Sequence, residues 1–199
     1  MAIPHPEKAA EGHKGLNRKG YGYGGEDAYF YCSNRNGITA LGVADGVYMW
    51  KDKGIDAGMF SIATPAGRSP ARRQGCGHAC HTDVPTTHAT HKCHFDEADL
   101  PEDAMLTTMP VSPGDIVVLG SDGLWDNVSE EELVEEVERD VLEGVKPSVI
   151  AQRLAFLAFE HSQDKHKETP YSLGASEAFD MVYSGGKSDD ITVMCAVMQ

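Results

Sequence analysis

Residues 115–127 read Asp115-Ile116-Val117-Val118-Leu119-Gly120-Ser121-Asp122-Gly123-Leu124-Trp125-Asp126-Asn127. Ile116 to Leu119 is a continuous apolar run of strand length, set behind a Pro113-Gly114 turn. That pattern reads as a buried strand over Asp115 to Gly120. The chain then delivers Asp122 next to Gly123 just past the strand end. Downstream, Ser129 with Glu132 makes a capping box, so a helix should start there. Leu133, Val134, Val137 and Val141 recur at helical spacing, and Gly144 can close the C-terminus. A second helix is expected over about 148–161, and Ile191 to Met198 reads as a final strand. Its apolar residues fall on both faces, which suits a central strand. Upstream, two more strand-like runs stand out, Ala28 to Cys32 and Ile38 to Ala44.

Carboxylates sit at the ends of these strands. Glu26-Asp27 precedes the first, Asp45-Gly46 follows the second, Asp122-Gly123 follows the third and Asp189-Asp190 precedes the last. Acids at strand ends can converge at one edge of a sheet without entering its core. Once gathered they repel, and they stay ionised only beside a cation. Hard oxygen donors of this kind select Mg²⁺ or Mn²⁺ over zinc. Two such ions can clamp a phosphoryl group. Each Asp-Gly taken singly also fits a solvated turn.

With 199 residues the chain suits one domain with a real core. Its formal charge of −14 gives a field that repels nucleic acid and anionic membrane surfaces, so neither is an expected partner. The same field repels a phosphorylated substrate unless a bound cation reverses it locally. No apolar run is long enough for a bilayer. Met1 to Gly12 lacks the apolar core of a signal peptide, so an intracellular place is expected, cytoplasmic or organellar (mitochondrion or plastid) alike. Five cysteines make a poor disulfide framework and fit a reducing compartment.

Ser61 to Leu100 changes character. It is poor in Leu, Ile and Val, rich in His, Cys, Thr, Pro and Arg, and shows neither period. It reads as an irregular insert.

The runs Gly25-Glu26-Asp27-Ala28, Val43-Ala44-Asp45-Gly46-Val47, Ser121-Asp122-Gly123-Leu124-Trp125-Asp126-Asn127 and Lys187-Ser188-Asp189-Asp190-Ile191-Thr192-Val193 resemble, in order, the motifs of the metal-dependent protein phosphatases of the 2C type. Pro4-His5-Pro6 and Trp50 are similar to the branch with plant and mitochondrial members. The resemblance implies an α+β fold, a protein phosphatase 2C-like β-sandwich flanked by helices, and one phosphatase-like domain over 1–199. It implies hydrolysis of phosphoserine and phosphothreonine in proteins by a metal-bound hydroxide, with two Mn²⁺ or Mg²⁺ ions. Asp45 would bridge both ions. The Gly46 carbonyl would bind one through water, Glu26 would share the second, Asp122 and Asp189 would complete the first, and Asp126 would help hold a weaker third.

The family pattern is incomplete here. Tyr48 and Met49 stand where the family has Gly-Gly. Its Gly-Ser-Thr-Ala strand and Leu-Gly-Asp-Ser hairpin have no counterpart between Phe60 and Met105, so 61–100 stands in place of core strands and the sandwich is incomplete in the middle. Lower turnover is the expected consequence. The alternative is a phosphatase-like protein that binds phosphoproteins or other partners. The family's phosphate-binding Arg has no match in register, because residues 12–23 separate Lys8 from Glu26; Lys8, Arg18 and Lys19 are the candidate substitutes.

Other motifs carry less. Cys76, His78, Cys80, His81, His88, His91, Cys93 and His94 are soft ligands, but their spacing matches no standard zinc finger and no apolar frame surrounds them, so specific zinc is not expected. Gly186-Lys187-Ser188 resembles the end of a P-loop, yet Met181 stands where the first Gly is required. Asn127-Val128-Ser129 fits a glycosylation acceptor, but Ser129 is better used as a cap. Residues 20–25 read as a flexible entry loop, and Trp50 and Phe60 as packing residues.

Overall fold

The computed structural model describes residues 1–12, 15–47, 57–58, 61 and 105–199. The His/Cys cluster, Trp50, Phe60 and almost all of the expected insert lie outside the described residues.

An antiparallel sheet of four strands is built from β2 (Leu16–Arg18), β3 (Tyr21–Gly24), β4 (Asp27–Ser33) and β5 (Thr39–Ala44), in that order. A second sheet has the order β1-β7-β6, from β1 (Ala2–Ile3), β7 (Ile191–Val197) and β6 (Ile116–Gly120). Both neighbours of β7 run antiparallel to it, so the final strand is central as its composition predicts. Among the described residues, β5 and β6 each pair on one side only.

The pleat of β7 explains its two apolar faces. Ile191 and Val193 point to one side, onto Leu124, Val128, Ile150, Leu154 and Ala158. Met194 points to the other, where it meets Ala2 and Tyr29 with Leu41, Val43 and Leu119 packed against them. One core therefore lies between the three-stranded sheet and the helices, and a smaller one lies between the two sheets. The result is the α+β layering expected, with antiparallel sheets and helices outside.

The helices are α1 (Pro6–Ala10), α2 (Asp122–Trp125), α3 (Glu130–Leu142), α4 (Pro147–Gln163) and α5 (Pro170–Phe179). Ser129 caps α3 by accepting from the Glu132 N–H, as the box predicts. Glu132 does not complete it, since its carboxylate lies near Lys167 and His161. Leu133 and Val137 are buried, whereas Val134 and Val141 are exposed, so the apolar stripe is narrower than the spacing suggests. Residues 20–25 are not a loose loop: Tyr21–Gly24 is a strand paired on both sides, and residues 16–24 form the β2–β3 hairpin.

Candidate metal centre

The two sheets offer their acids at one common end. Ala28, at the start of β4, pairs with Ala44, the last residue of β5. This places Glu26-Asp27 beside Asp45-Gly46. In the other sheet Gly120, the last residue of β6, pairs with Val193 near the start of β7. This places Asp122 beside Asp189-Asp190. The two pairs meet: the Asp122 N–H donates to Asp45 Oδ2 at 3.3 Å.

An ammonium holds the acids of the second sheet together. Lys187 Nζ lies 2.6 Å from Asp122 Oδ2, 2.7 Å from Asp126 Oδ2 and 3.2 Å from Asp189 Oδ2. Asp122 opens α2 and Asp126 caps its C-terminus, one helical turn apart, so both carboxylates reach the same point. The Lys187 backbone is fixed by buried Asn127. Its N–H donates to Asn127 Oδ1, and its carbonyl accepts from Asn127 Nδ2. That use of the amide also removes Asn127 as a glycosylation acceptor.

Asp45 faces Asp122 and Asp189 with no ion pair to an ammonium among the described residues. Partial burial, and then the Asp122 charge, push its carboxyl up to about 6. A nearby divalent cation would reverse that shift. Asp27, fully buried at the head of β4, is pushed well above the usual carboxylate range, first by burial and then by Asp45. One of its oxygens and the Thr192 hydroxyl have no hydrogen-bond partner among the described residues.

Glu26 belongs to a separate and sealed cluster. Lys8 Nζ lies 2.5 Å from Glu26 Oε2 and 2.6 Å from Asp190 Oδ2, with all three side chains buried. Asp190 also accepts the N–H groups of His5 and Glu26, at 2.7 and 2.8 Å. Gly25 makes this approach feasible, because its φ is +64° and a Cβ there would lie 2.0 Å from Asp190 Oδ1. Gly46 lies directly against Glu26, since a Cβ on it would stand 2.4 Å from the Glu26 carbonyl oxygen. Glu26 and Gly46 are thus neighbours, though the Glu26 carboxylate is engaged by Lys8.

The family model described as "Protein phosphatase 2C" matches residues 100–165. The chain is similar to Probable protein phosphatase 2C 55 of Arabidopsis thaliana, with 33% identity over 246 residues, covering 96% of this chain and 49% of the relative. It is similar also to Probable protein phosphatase 2C 80 of the same plant, with 29% identity over 247 residues, covering 96% and 56%. The X-ray structure of the photosystem II phosphatase PBCP superposes with a TM-score of 0.69 at 24% identity, covering 100% of this chain and 97% of that one. The chain is thus similar in sequence to proteins named protein phosphatase 2C.

Its fold is the protein phosphatase 2C fold. It spans about half the length of the two Arabidopsis relatives. Those alignments run longer than the 199 residues of this chain, so within the matched stretch the relatives carry residues that it lacks.

The acids named from sequence therefore fall into two groups. Asp122, Asp126 and Asp189 gather around Lys187 with Asp45 against Asp122, whereas Glu26 sits beside Gly46 and pairs with Lys8. As they stand, no group of three or more His, Cys, Asp or Glu among the described residues is set to hold a metal ion. The donor set still fits a hard divalent cation: carboxylate oxygens already collected around one positive charge. Of the candidate phosphate contacts, Lys8 is excluded by its burial between two carboxylates. Arg18 and Lys19 lie at the other end of the β2–β3 hairpin, where they line a largely apolar cavity of about 560 Å³ between β2, β4, β5, β7 and α4. Sequence reasoning gives Lys187 no role: it enters only as the first residue of the last motif run and in the P-loop resemblance. No helix among the described residues is long and apolar enough to cross a membrane.

Proposed function

We propose that the chain is a Mn²⁺- or Mg²⁺-dependent protein phosphatase acting on phosphoserine and phosphothreonine. The observation that carries this reading is the convergence of Asp122, Asp126 and Asp189 on one cation, with Asp45 facing Asp122 from the other sheet, at the shared end of two sheets. Similarity to relatives named protein phosphatases supports it. In this reading Asp45 serves both ions, Asp122 and Asp189 hold the first, and Glu26 and the Gly46 carbonyl serve the second. Asp126 serves a weaker third. The bound ions supply an acidified water and positive charge for the phosphoryl oxygens.

The chain's own residues prepare that chemistry. The Asp45 carboxyl must give up the proton that burial and Asp122 favour before it can act as a ligand. Asp190 and Lys8 anchor the loop of Glu26 to the start of β7, which holds the two sheet ends in register. Turnover is expected to fall below that of a relative carrying the residues this chain lacks. Metal chemistry needs ligands held within about 0.5 Å by a rigid surround.

The test is phosphate release from a phosphothreonine peptide by the purified chain with MnCl₂. Release that depends on Mn²⁺ and disappears in Asp45→Ala supports the proposal. Binding of the peptide with no Mn²⁺-dependent release would favour a phosphoprotein-binding role instead.

A further inference from the structure

We infer that the Lys187 ammonium is a tethered competitor of the divalent cation: it neutralises Asp122, Asp126 and Asp189 when no ion is bound, and it must withdraw for an ion to enter. This rests on the metal-dependent reading above and adds a control on it.

Three carboxylates share one Nζ at 2.6, 2.7 and 3.2 Å. A divalent ion on the same Oδ2 atoms of Asp122 and Asp189 would displace the ammonium, and one on their other oxygens would sit a few Å from its positive charge. Ammonium and metal therefore compete for these acids. The competitor is also built to move. Only its backbone is pinned, by Asn127 on one side and by the tight seat of Gly186 on the His161 carbonyl on the other. The side chain is 31% exposed, and its four-carbon stem is flexible. Tethering keeps the ammonium at high effective concentration beside the acids, so it competes at any protein dilution.

The consequence runs against the usual effect of removing an ion pair. A charge-free side chain of similar length should weaken the metal-free fold, because the acids then repel. The same change should strengthen metal binding. A residue with a merely structural role would not tighten an ion's affinity when removed.

The experiment is calorimetric titration of MnCl₂ into the full chain, with thermal melts of each sample. Lys187→Met is expected to bind Mn²⁺ about tenfold more tightly than the wild type, which corresponds to ~1.4 kcal/mol of relieved competition, and to melt at a lower temperature without metal. Lys187→Arg should bind like the wild type. Should Lys187→Met not fold, Lys187→Gln is judged by the same criterion. Equal or weaker Mn²⁺ binding by a folded, charge-free variant overturns the inference while leaving the metal centre standing. No binding by the wild type or any variant overturns the metal-dependent reading itself, and this inference with it.

Discussion

Two ammonium groups hold carboxylates at the same end of this molecule, in opposite surroundings. Lys8 is sealed with Glu26 and Asp190, and the side chains keep 7%, 6% and 1% of their exposure. Lys187 lies open with Asp122, Asp126 and Asp189, each between 29% and 49% exposed. The groups are chemically alike, yet burial gives them different work. In the sealed cluster the remaining acceptor sites of Asp190 are filled by backbone N–H groups, so the set behaves as a rivet between the N-terminal segment, the β3–β4 turn and β7. In the open cluster water can replace any partner, so the cation is exchangeable. A buried charge set resists substitution because each member leaves the others uncompensated. An exposed one is worth little as stability and is free to serve binding.

The largest expected effect comes from breaking the rivet. Lys8→Met leaves two buried carboxylates facing each other and should cost about 3–5 kcal/mol of folding stability. Urea denaturation of the variant against the wild type measures it. A loss under about 1 kcal/mol, the range of an exposed pair, would show that the sealed cluster is no different from the open one.

Metal should act chiefly through the open cluster and Asp45. Mn²⁺ at a hundredfold excess over its Kd stabilises a protein that binds it only when folded by about 2.7 kcal/mol. A rise in Tm of the wild type, absent in Asp45→Ala, is expected. A rise should survive in a destabilised Lys8→Met sample that still folds at low temperature, because Asp45, Asp122 and Asp189, which would hold the first ion, lie outside the rivet.

Acidity separates the clusters further. The Asp45 carboxyl is raised to about 6, so in the metal-free fold it keeps its proton where an unfolded chain has lost it. This group's contribution to stability is therefore most favourable below its ordinary range and declines as pH rises toward 6. Mn²⁺ binding must expel that proton, so the Mn²⁺-induced shift in Tm should shrink as pH falls through 6. Lys8 behaves otherwise. Burial opposes its charge, but bonds to Asp190 and Glu26 outweigh that and raise its pKa. Its contribution is complete below the ordinary lysine range and is lost only as pH rises above it. Thermal melts from pH 5 to 8, with and without MnCl₂, should show a pH-dependent metal increment. A constant increment would remove Asp45 from the site.

Much of this contrast could be read in the sequence, and the unread part has physical causes. β6 and β7 were legible because a continuous apolar run needs cover on both faces. The start of α3 was legible because Ser129 offers its cap in the usual place. The acids were legible because they flank strands and glycines. β3 was not, since its buried positions are Gly22 and Gly24 and its tyrosines are only half-covered, so the period of two carries no apolar signal. α5 was not, since its capping box pairs Thr169 with Ser172 and the residue it buries is that serine. The roles of the lysines were the least legible. Lys8 meets Asp190 across 182 positions of chain, a contact that only the antiparallel seating of β1 on β7 creates. Lys187 meets Asp122 across 65. Local pattern reports which residues carry charge, but not which opposite charge the topology brings to them.

The smallest expected effect lies inside the open cluster and tests how open it is. Asp126→Asn keeps the size of the side chain and an oxygen that can still accept from Lys187, while removing one of three charges crowded around that ammonium. Losing an attractive pair is offset by relieving repulsion from Asp122 and Asp189, and the exposed partners are screened by water and salt. Stability should stay within about 1 kcal/mol of the wild type in urea denaturation, with the difference shrinking further at 1 M NaCl. A loss of several kcal/mol that persists in salt would mean that Lys187 and its acids form a second rivet. Lys187 would then be a fixed part of the fold instead of a cation that gives way.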